Sequence, residues 1–174
     1  MSIFGLELPL PDLLVLPGAH SKWVRTDGER IVDLSTYMSG EIFNLLRKDS
    51  LLSKLIPADY APIEAAFDRG VAIARDKGVL PGGVLQRLFS ARSLVLFDQL
   101  KPHEISDYLS GVMIGSEIAE VLAGQPDLSS VVVLGENPLA PSYRRALHQF
   151  GIQSPAEVGS AAAGFARLIA ELSA

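Results

Sequence analysis

Six consecutive residues, Pro17-Gly18-Ala19-His20-Ser21-Lys22, set a tight turn beside an imidazole, a hydroxyl and an ammonium group. Gly18 can take a left-handed conformation that lets backbone N–H groups converge on an anion. Ser21 can donate a hydrogen bond and Lys22 supplies a compact positive charge. Those are the needs of phosphoryl transfer, which depends more on positioning and charge neutralisation than on a covalent nucleophile. The same letters also describe a type II turn with a solvated lysine. Pattern alone leaves both readings open.

Three further places carry chemical groups. Glu41, after Ser39-Gly40, falls in the first turn of a predicted helix, where it can offset the helix dipole or orient a hydroxyl or a metal-bound water. Arg92 lies four residues from both Leu88 and Leu96, inside a predicted apolar stripe, so its guanidinium needs a carboxylate or a phosphate. Either a salt bridge to Glu41 or Glu117 or a substrate contact meets that need. Gly135-Glu136-Asn137 follows a buried strand and precedes a helix, the position where open α/β sheets place ligands. An ordinary strand-to-helix connection has the same letters.

Other chemistries are excluded by what is missing. The chain has no G-x-x-x-x-G-K-[ST] loop, no G-x-G-x-x-G and no G-x-S-x-G elbow. His103-Glu104 begins like a zinc-protease helix, but position 107 is Asp, and the only other histidines are His20 and His148. With no cysteine there is neither a disulfide nor a thiolate nucleophile. No motif assigns a catalytic base.

The elements that must hold these groups follow from periodicity. Leu13 to Leu16 is a continuous apolar run ending in Pro17-Gly18, which predicts a buried strand entering a turn. Trp23 and Val24 predict the return strand, Asp27-Gly28 a second turn, and Ile31 to Thr36 a third strand closed by Ser39-Gly40. Together they read as a three-stranded meander. Ile42, Leu45 and Leu46 then share a helix face that breaks near Asp49-Ser50. Pro62 suits the first turn of a helix whose stripe is Ile63, Ala66, Phe67, Gly70, Val71 and Ala74, with Gly78 stopping it.

Pro81-Gly82-Gly83 opens a helix with Leu85, Leu88, Phe89 and Leu96 on its apolar face. The longest helix runs from His103 to Leu122, and Gly111, Gly115 and Ala119 leave a smooth strip on it for close packing. Val131 to Leu134 is the clearest buried strand. Asn137 caps a helix begun by Pro138 that carries Leu139, Tyr143, Ala146, Leu147 and Phe150 and ends at Gly151. A short strand near Ile152 and a last helix, capped by Ser160 and bearing Phe165, Leu168, Ile169 and Leu172, complete the chain. Strands first, helices later and a late buried strand argue for an α/β or α+β sandwich; the expected class is α/β, a mixed sheet with the meander first and helices packed on it.

The 174 residues suit one domain, and 48% hydrophobic with 20% charged residues is the balance of a packed core. A net charge of −5 disfavours non-specific binding to nucleic acid or anionic lipid. The apolar start, Met1 to Asp12, lacks the basic region and cleavage site of a signal peptide, and no apolar run is long enough to cross a membrane. The expected location is the cytoplasm.

LPGAHSKWV, TYMSGEIFNLLRKDSLL, LFSARSL, DYLSGVMIGSEI and VVVLGENPLAPSYRRALHQFG, in that order from Leu13 to Leu172, resemble the carboxyl-terminal half of the 2-dehydro-3-deoxygalactonokinases. That resemblance implies a ribonuclease-H-like lobe of the actin-like sugar kinase superfamily, spanning 1–174 as a single domain, with the amino-terminal lobe missing. It implies phosphorylation of 2-dehydro-3-deoxy-D-galactonate at its terminal hydroxyl with ATP and Mg2+. Gly18, His20, Ser21 and Lys22 then lie near phosphates or substrate, Gly135 and Asn137 in the adenosine turn, and Glu41 and Arg92 face the cleft.

Position 19 is Ala where the family usually has Thr, and the Asp-Trp-Gly-Thr-type hairpin of the first lobe is absent. Ser2-Ile3-Phe4-Gly5 resembles the family sequence just upstream of the hairpin, as if the chain begins mid-protein. The partners implied are a nucleotide, a sugar acid and either an amino-terminal lobe or a second copy. Two alternatives fit the same letters: an inactive lobe serving as a nucleotide-binding or dimerising module, and a kinase for another sugar or sugar acid.

Overall fold

The computed structural model describes residues 10–59, 61–76, 82–124, 128, 130–135 and 137–154. Ser2 to Gly5, Gly78, Pro81, Glu136 and the helix expected after Ser160 lie outside them. The chain divides into two compact units: residues 1–37 with 127–174, and residues 38–126.

The first unit is built on a four-stranded mixed sheet of order β3-β2-β1-β4. β1 (Leu13–Leu16), β2 (Ser21–Thr26) and β3 (Ile31–Tyr37) pair antiparallel in succession, and β4 (Val132–Val133) runs parallel to β1. The two uninterrupted apolar runs became the parallel pair β1 and β4, with β4 at the end of the described strand order. Both are buried, and strands covered on both faces need no polar alternation. Leu14, Val24, Val132 and Leu134 form their core, with Leu10 and Leu16 packed against it. β3 lies at the end of the strand order, with Ile31, Val32 and Leu34 exposed. α5 (Ala140–Gln149) packs against β4 through a face that includes Tyr143, Ala146 and Leu147. The short strand expected near Ile152 is a single parallel bridge between Ser130 and Gln153.

The second unit is helical. α1 (Ser39–Asp49) begins two residues after β3 ends, so Ser39-Gly40 opens the helix rather than closing the strand. A 3-10 turn (Leu52–Leu55), α2 (Glu64–Arg75), α3 (Val84–Leu96), a second 3-10 turn (Pro102–Glu104) and α4 (Ile105–Ala123) follow. Pro62 precedes α2 instead of entering it, and the backbone N–H of Ile63 donates to Asp107 Oδ2 at 2.7 Å, tying the start of α2 to α4.

The expected stripe of α2 is buried from Ala66 to Ala74. It meets α4 glycine against glycine. A Cβ on Gly70 would collide with the Tyr108 carbonyl, and one on Gly111 with the Phe67 carbonyl. A Cβ on Gly115 would come within 2.8 Å of Ala74 Cβ.

Of the face expected for α3, Leu88 is buried and the other three residues are not. Leu85, Phe89 and Leu96 are exposed, and Arg87, Leu88 and Ala91 are buried. α3 carries apolar residues on more than one face, so periodicity alone did not select between them. The small side chain of Ala91 suits the side that joins the core of Leu52, Leu109 and Val112.

Candidate functional site

β1 and β4 are parallel neighbours, so the loops leaving them emerge from the same end of the sheet. Leu14 pairs with Val132 and Val15 with Val133; two residues further along, the same register sets Pro17 level with Gly135. The N–H of Leu134 donates to Val15 O at 2.8 Å and carries the contact to the ends of the strands. At that end Asn137 Nδ2 donates to Pro17 O at 2.9 Å. Asn137 Oδ1 accepts the backbone N–H of Leu139 at 2.8 Å. One carboxamide therefore fastens the β1–β2 loop to the β4–α5 loop, and its two bonds fix which way it faces.

The β1–β2 loop is closed by the Leu16–Lys22 pair. Pro17 is buried and Ala19 and His20 are exposed. Gly18 is not in the left-handed region, and a Cβ there would meet only ordinary contacts at 3.7 and 3.9 Å from His20. The expected positive φ and the type II turn that depends on it are both absent, because the chain turns over Gly18 to His20 rather than reversing sharply at Gly18. Lys22 is exposed, and its Nζ folds back to donate to His20 O at 3.1 Å, which leaves the ammonium beside the loop. Ser21 is fully buried with Oγ 3.5 Å from Tyr37 O, so it faces β3.

The left-handed glycine is in the other loop. Gly135 has φ +95, and open space surrounds the place a Cβ would take. α5 begins at Ala140, two residues later than expected from Pro138; Asn137 forms a side-chain turn ahead of the helix in place of an N-cap.

The structure thus gathers Gly18, His20, Lys22, Gly135 and Asn137 at one end of the first unit, with Ser21 beneath them. Glu41 and Arg92 belong to the second unit. Glu41 is half-buried in the first turn of α1, where its charge can offset the helix dipole as expected. Arg92 is half-buried on α3 and makes no ion pair among the described residues. The buried guanidinium of α3 is instead Arg87, 7% exposed, whose Nε has no hydrogen-bond partner among the described residues. Sequence reasoning missed Arg87 because it took the wrong face of α3. It missed the Asn137–Pro17 bond because 120 residues separate the partners. Aligning the two continuous apolar runs as parallel neighbours was the signal that could have found it.

A protein-family model described as 2-keto-3-deoxy-galactonokinase matches residues 2–168. The chain is 36% identical over 142 residues to the "Probable 2-dehydro-3-deoxygalactonokinase DgoK1" of Rhizobium meliloti (strain 1021), covering 80% of this chain and 45% of that protein. It is 29% identical over 150 residues to the 2-dehydro-3-deoxygalactonokinase of Escherichia coli (strain K12), covering 86% of this chain and 50% of that protein. A crystal structure assigned to a 2-dehydro-3-deoxygalactonokinase protein from Sinorhizobium meliloti superposes with a TM-score of 0.77 at 34% identity, covering 92% of this chain and 51% of that one. The chain spans about half the length of the curated relatives it matches.

Proposed function

Because this chain belongs to the 2-keto-3-deoxy-galactonokinase family, we propose that it is the carboxyl-terminal, nucleotide-side lobe of a sugar-acid kinase that phosphorylates 2-dehydro-3-deoxy-D-galactonate at its terminal hydroxyl. The fold reading that goes with this is a ribonuclease-H-like lobe. The sheet order β3-β2-β1-β4, antiparallel through β1 to β3 and parallel from β1 to β4, supports it.

The observation that carries the proposal is the Asn137–Pro17 bond. It locks a lysine-bearing hairpin to a glycine-bearing turn at the carboxyl ends of two parallel strands, where α/β sheets hold ligands. In this reading Lys22 neutralises a phosphoryl oxygen and the backbone of Gly18 to His20 lines the phosphates. Gly135 turns the chain so that main chain rather than a side chain borders the adenosine. Ser21 holds β2 against the end of β3 and so sets where Lys22 begins. Glu41 and Arg92 are assigned to the sugar acid, Arg92 as the cation for its carboxylate.

ATP supplies the phosphoryl group. The described residues gather no cluster of three or more His, Asp or Glu side chains around a point. That suits Mg2+ carried mainly by phosphates, which needs only one or two carboxylates. No described helix is long and apolar enough to cross a membrane, and the proposed setting is the cytoplasm.

The test is ADP release from Mg-ATP and 2-dehydro-3-deoxygalactonate, measured on the chain alone and after adding the separately expressed amino-terminal half of the Rhizobium meliloti relative. The expected result is nucleotide binding by the chain alone and turnover only after mixing. Failure to bind millimolar Mg-ATP or Mg-ADP would overturn the reading.

A further inference from the structure

Along the second half of α5 and the segment after it, a cavity of about 360 Å³ is lined by Arg144, His148, Gly151, Ile152, Gln153 and Ser154. The four polar side chains can all donate hydrogen bonds, and none of them is acidic. Arg144 and His148 stand four residues apart, so they share one face of α5. The guanidinium is under-used: among the described residues Arg144 Nη2 reaches only the Val133 carbonyl, at a long 3.5 Å, and its Nε has no partner. Ser154 Oγ on the segment after α5 is likewise shielded from solvent and unpartnered among the described residues. A shielded donor without an acceptor is costly, and two beside one cavity call for the same remedy.

We propose that this cavity is a binding site for a small oxyanion, a phosphate or carboxylate group, held by the guanidinium of Arg144 and the hydroxyl of Ser154, with His148 at its exposed rim. Both orphan donors then gain an acceptor after small side-chain rotations. The last-turn carbonyls of α5 oppose an anion there, and the Arg144 charge answers them at short range. The volume is within the range of small-molecule sites. The lining includes none of the residues from Pro17 to Lys22, nor Gly135 or Asn137, so the site is distinct from those loops. The inference does not depend on the kinase reading.

The probes are inorganic phosphate and acetate, titrated into the full chain against sodium chloride at matched ionic strength. Backbone amide chemical shifts at residues 144–154 provide the readout. A saturable phosphate response there, kept in Lys22→Ala and weakened about tenfold or more in Arg144→Gln, is the expected result. Saturation by acetate but not phosphate keeps the site and assigns it to a carboxylate. If Arg144→Gln does not fold, Ser154→Ala takes its place, with weaker saturation expected. A response matched by chloride, or unchanged in the variant that folds, overturns the proposal. A phosphate response lost in Lys22→Ala but kept in Arg144→Gln also overturns it, and places the phosphate on the hairpin.

Discussion

Asn137 and Lys22 separate the two things a side chain at this site can do. The Asn137 carboxamide carries load: removing it takes their partner from the carbonyl of the buried Pro17 and from the Leu139 N–H. Asn137→Ala is expected to lower stability by about 1–3 kcal/mol and to weaken Mg-ADP binding about tenfold, because the two loops lose their common anchor. Urea unfolding and nucleotide titration of the same preparation check both. Among the described residues the Lys22 ammonium bonds only within its own loop. Lys22→Ala is therefore expected to change stability by no more than about 0.5 kcal/mol while weakening nucleotide binding about tenfold or more. A large loss of stability with unchanged binding would make Lys22 a structural residue. The type and position of Lys22 were legible in the sequence. The anchoring role of Asn137 was not, because local pattern sees only its turn-forming acceptor and not a donor reaching a segment 120 residues away.

Elements repeat the distinction between what a local pattern fixes and what only packing fixes. The β2–β3 turn is local. Asp27 accepts the side chain of Arg30 at 3.0 Å and the backbone N–H groups of Arg30 and Glu29. The Arg30 side-chain bond first, then those backbone bonds, bring its pKa from 3.8 down to about 2. A carboxylate whose folded pKa is depressed contributes stability above its unfolded value and loses that contribution as pH falls through the folded one. The stability difference between the native chain and Asp27→Asn is therefore expected to be largest above pH 4 and to close toward pH 2 at low salt. Urea midpoints across that range check it, and a gap constant with pH would show that the turn does not depend on the charge.

The α2–α4 contact is a matter of packing. The strip of Gly111 and Gly115 was legible because small residues at every fourth position leave one smooth face. The buried face of α3 was not, because the choice among its apolar faces was made by the neighbours. Gly111→Ala sets a methyl against the Phe67 backbone and is expected to cost about 3 kcal/mol, the upper end for overpacking. Gly115→Ala presses chiefly on the Ala74 methyl and the adjacent Val71 backbone, and is expected to cost less. Equal melting temperatures for the two variants would mean that the helices part more easily than their close backbones imply.

For the molecule as a whole, the consequential feature is that the chain leaves its first unit after Tyr37 and returns at about Asp127, having built a second core between. The clusters are distinct: Leu14, Val24, Val132 and Leu134 in one, Leu88, Ala91, Leu109 and Val112 in the other. Composition and periodicity gave one domain of mixed α/β character, since nothing in a chain without linkers or low-complexity tracts marks where one core stops. The proposed nucleotide loops draw only on the first core. Strain placed in the second should therefore reach them weakly, in proportion to how far the two cores unfold as one cooperative body. With Gly111→Ala as the perturbation, hydrogen exchange is expected to lose protection across α2 and α4 first. The β1, β2 and β4 amides, and with them Mg-ADP binding, should hold to higher denaturant. If protection falls together in both sets of amides, the two cores form a single folding unit, and stabilising substitutions in the helices would be a route to a tighter nucleotide site.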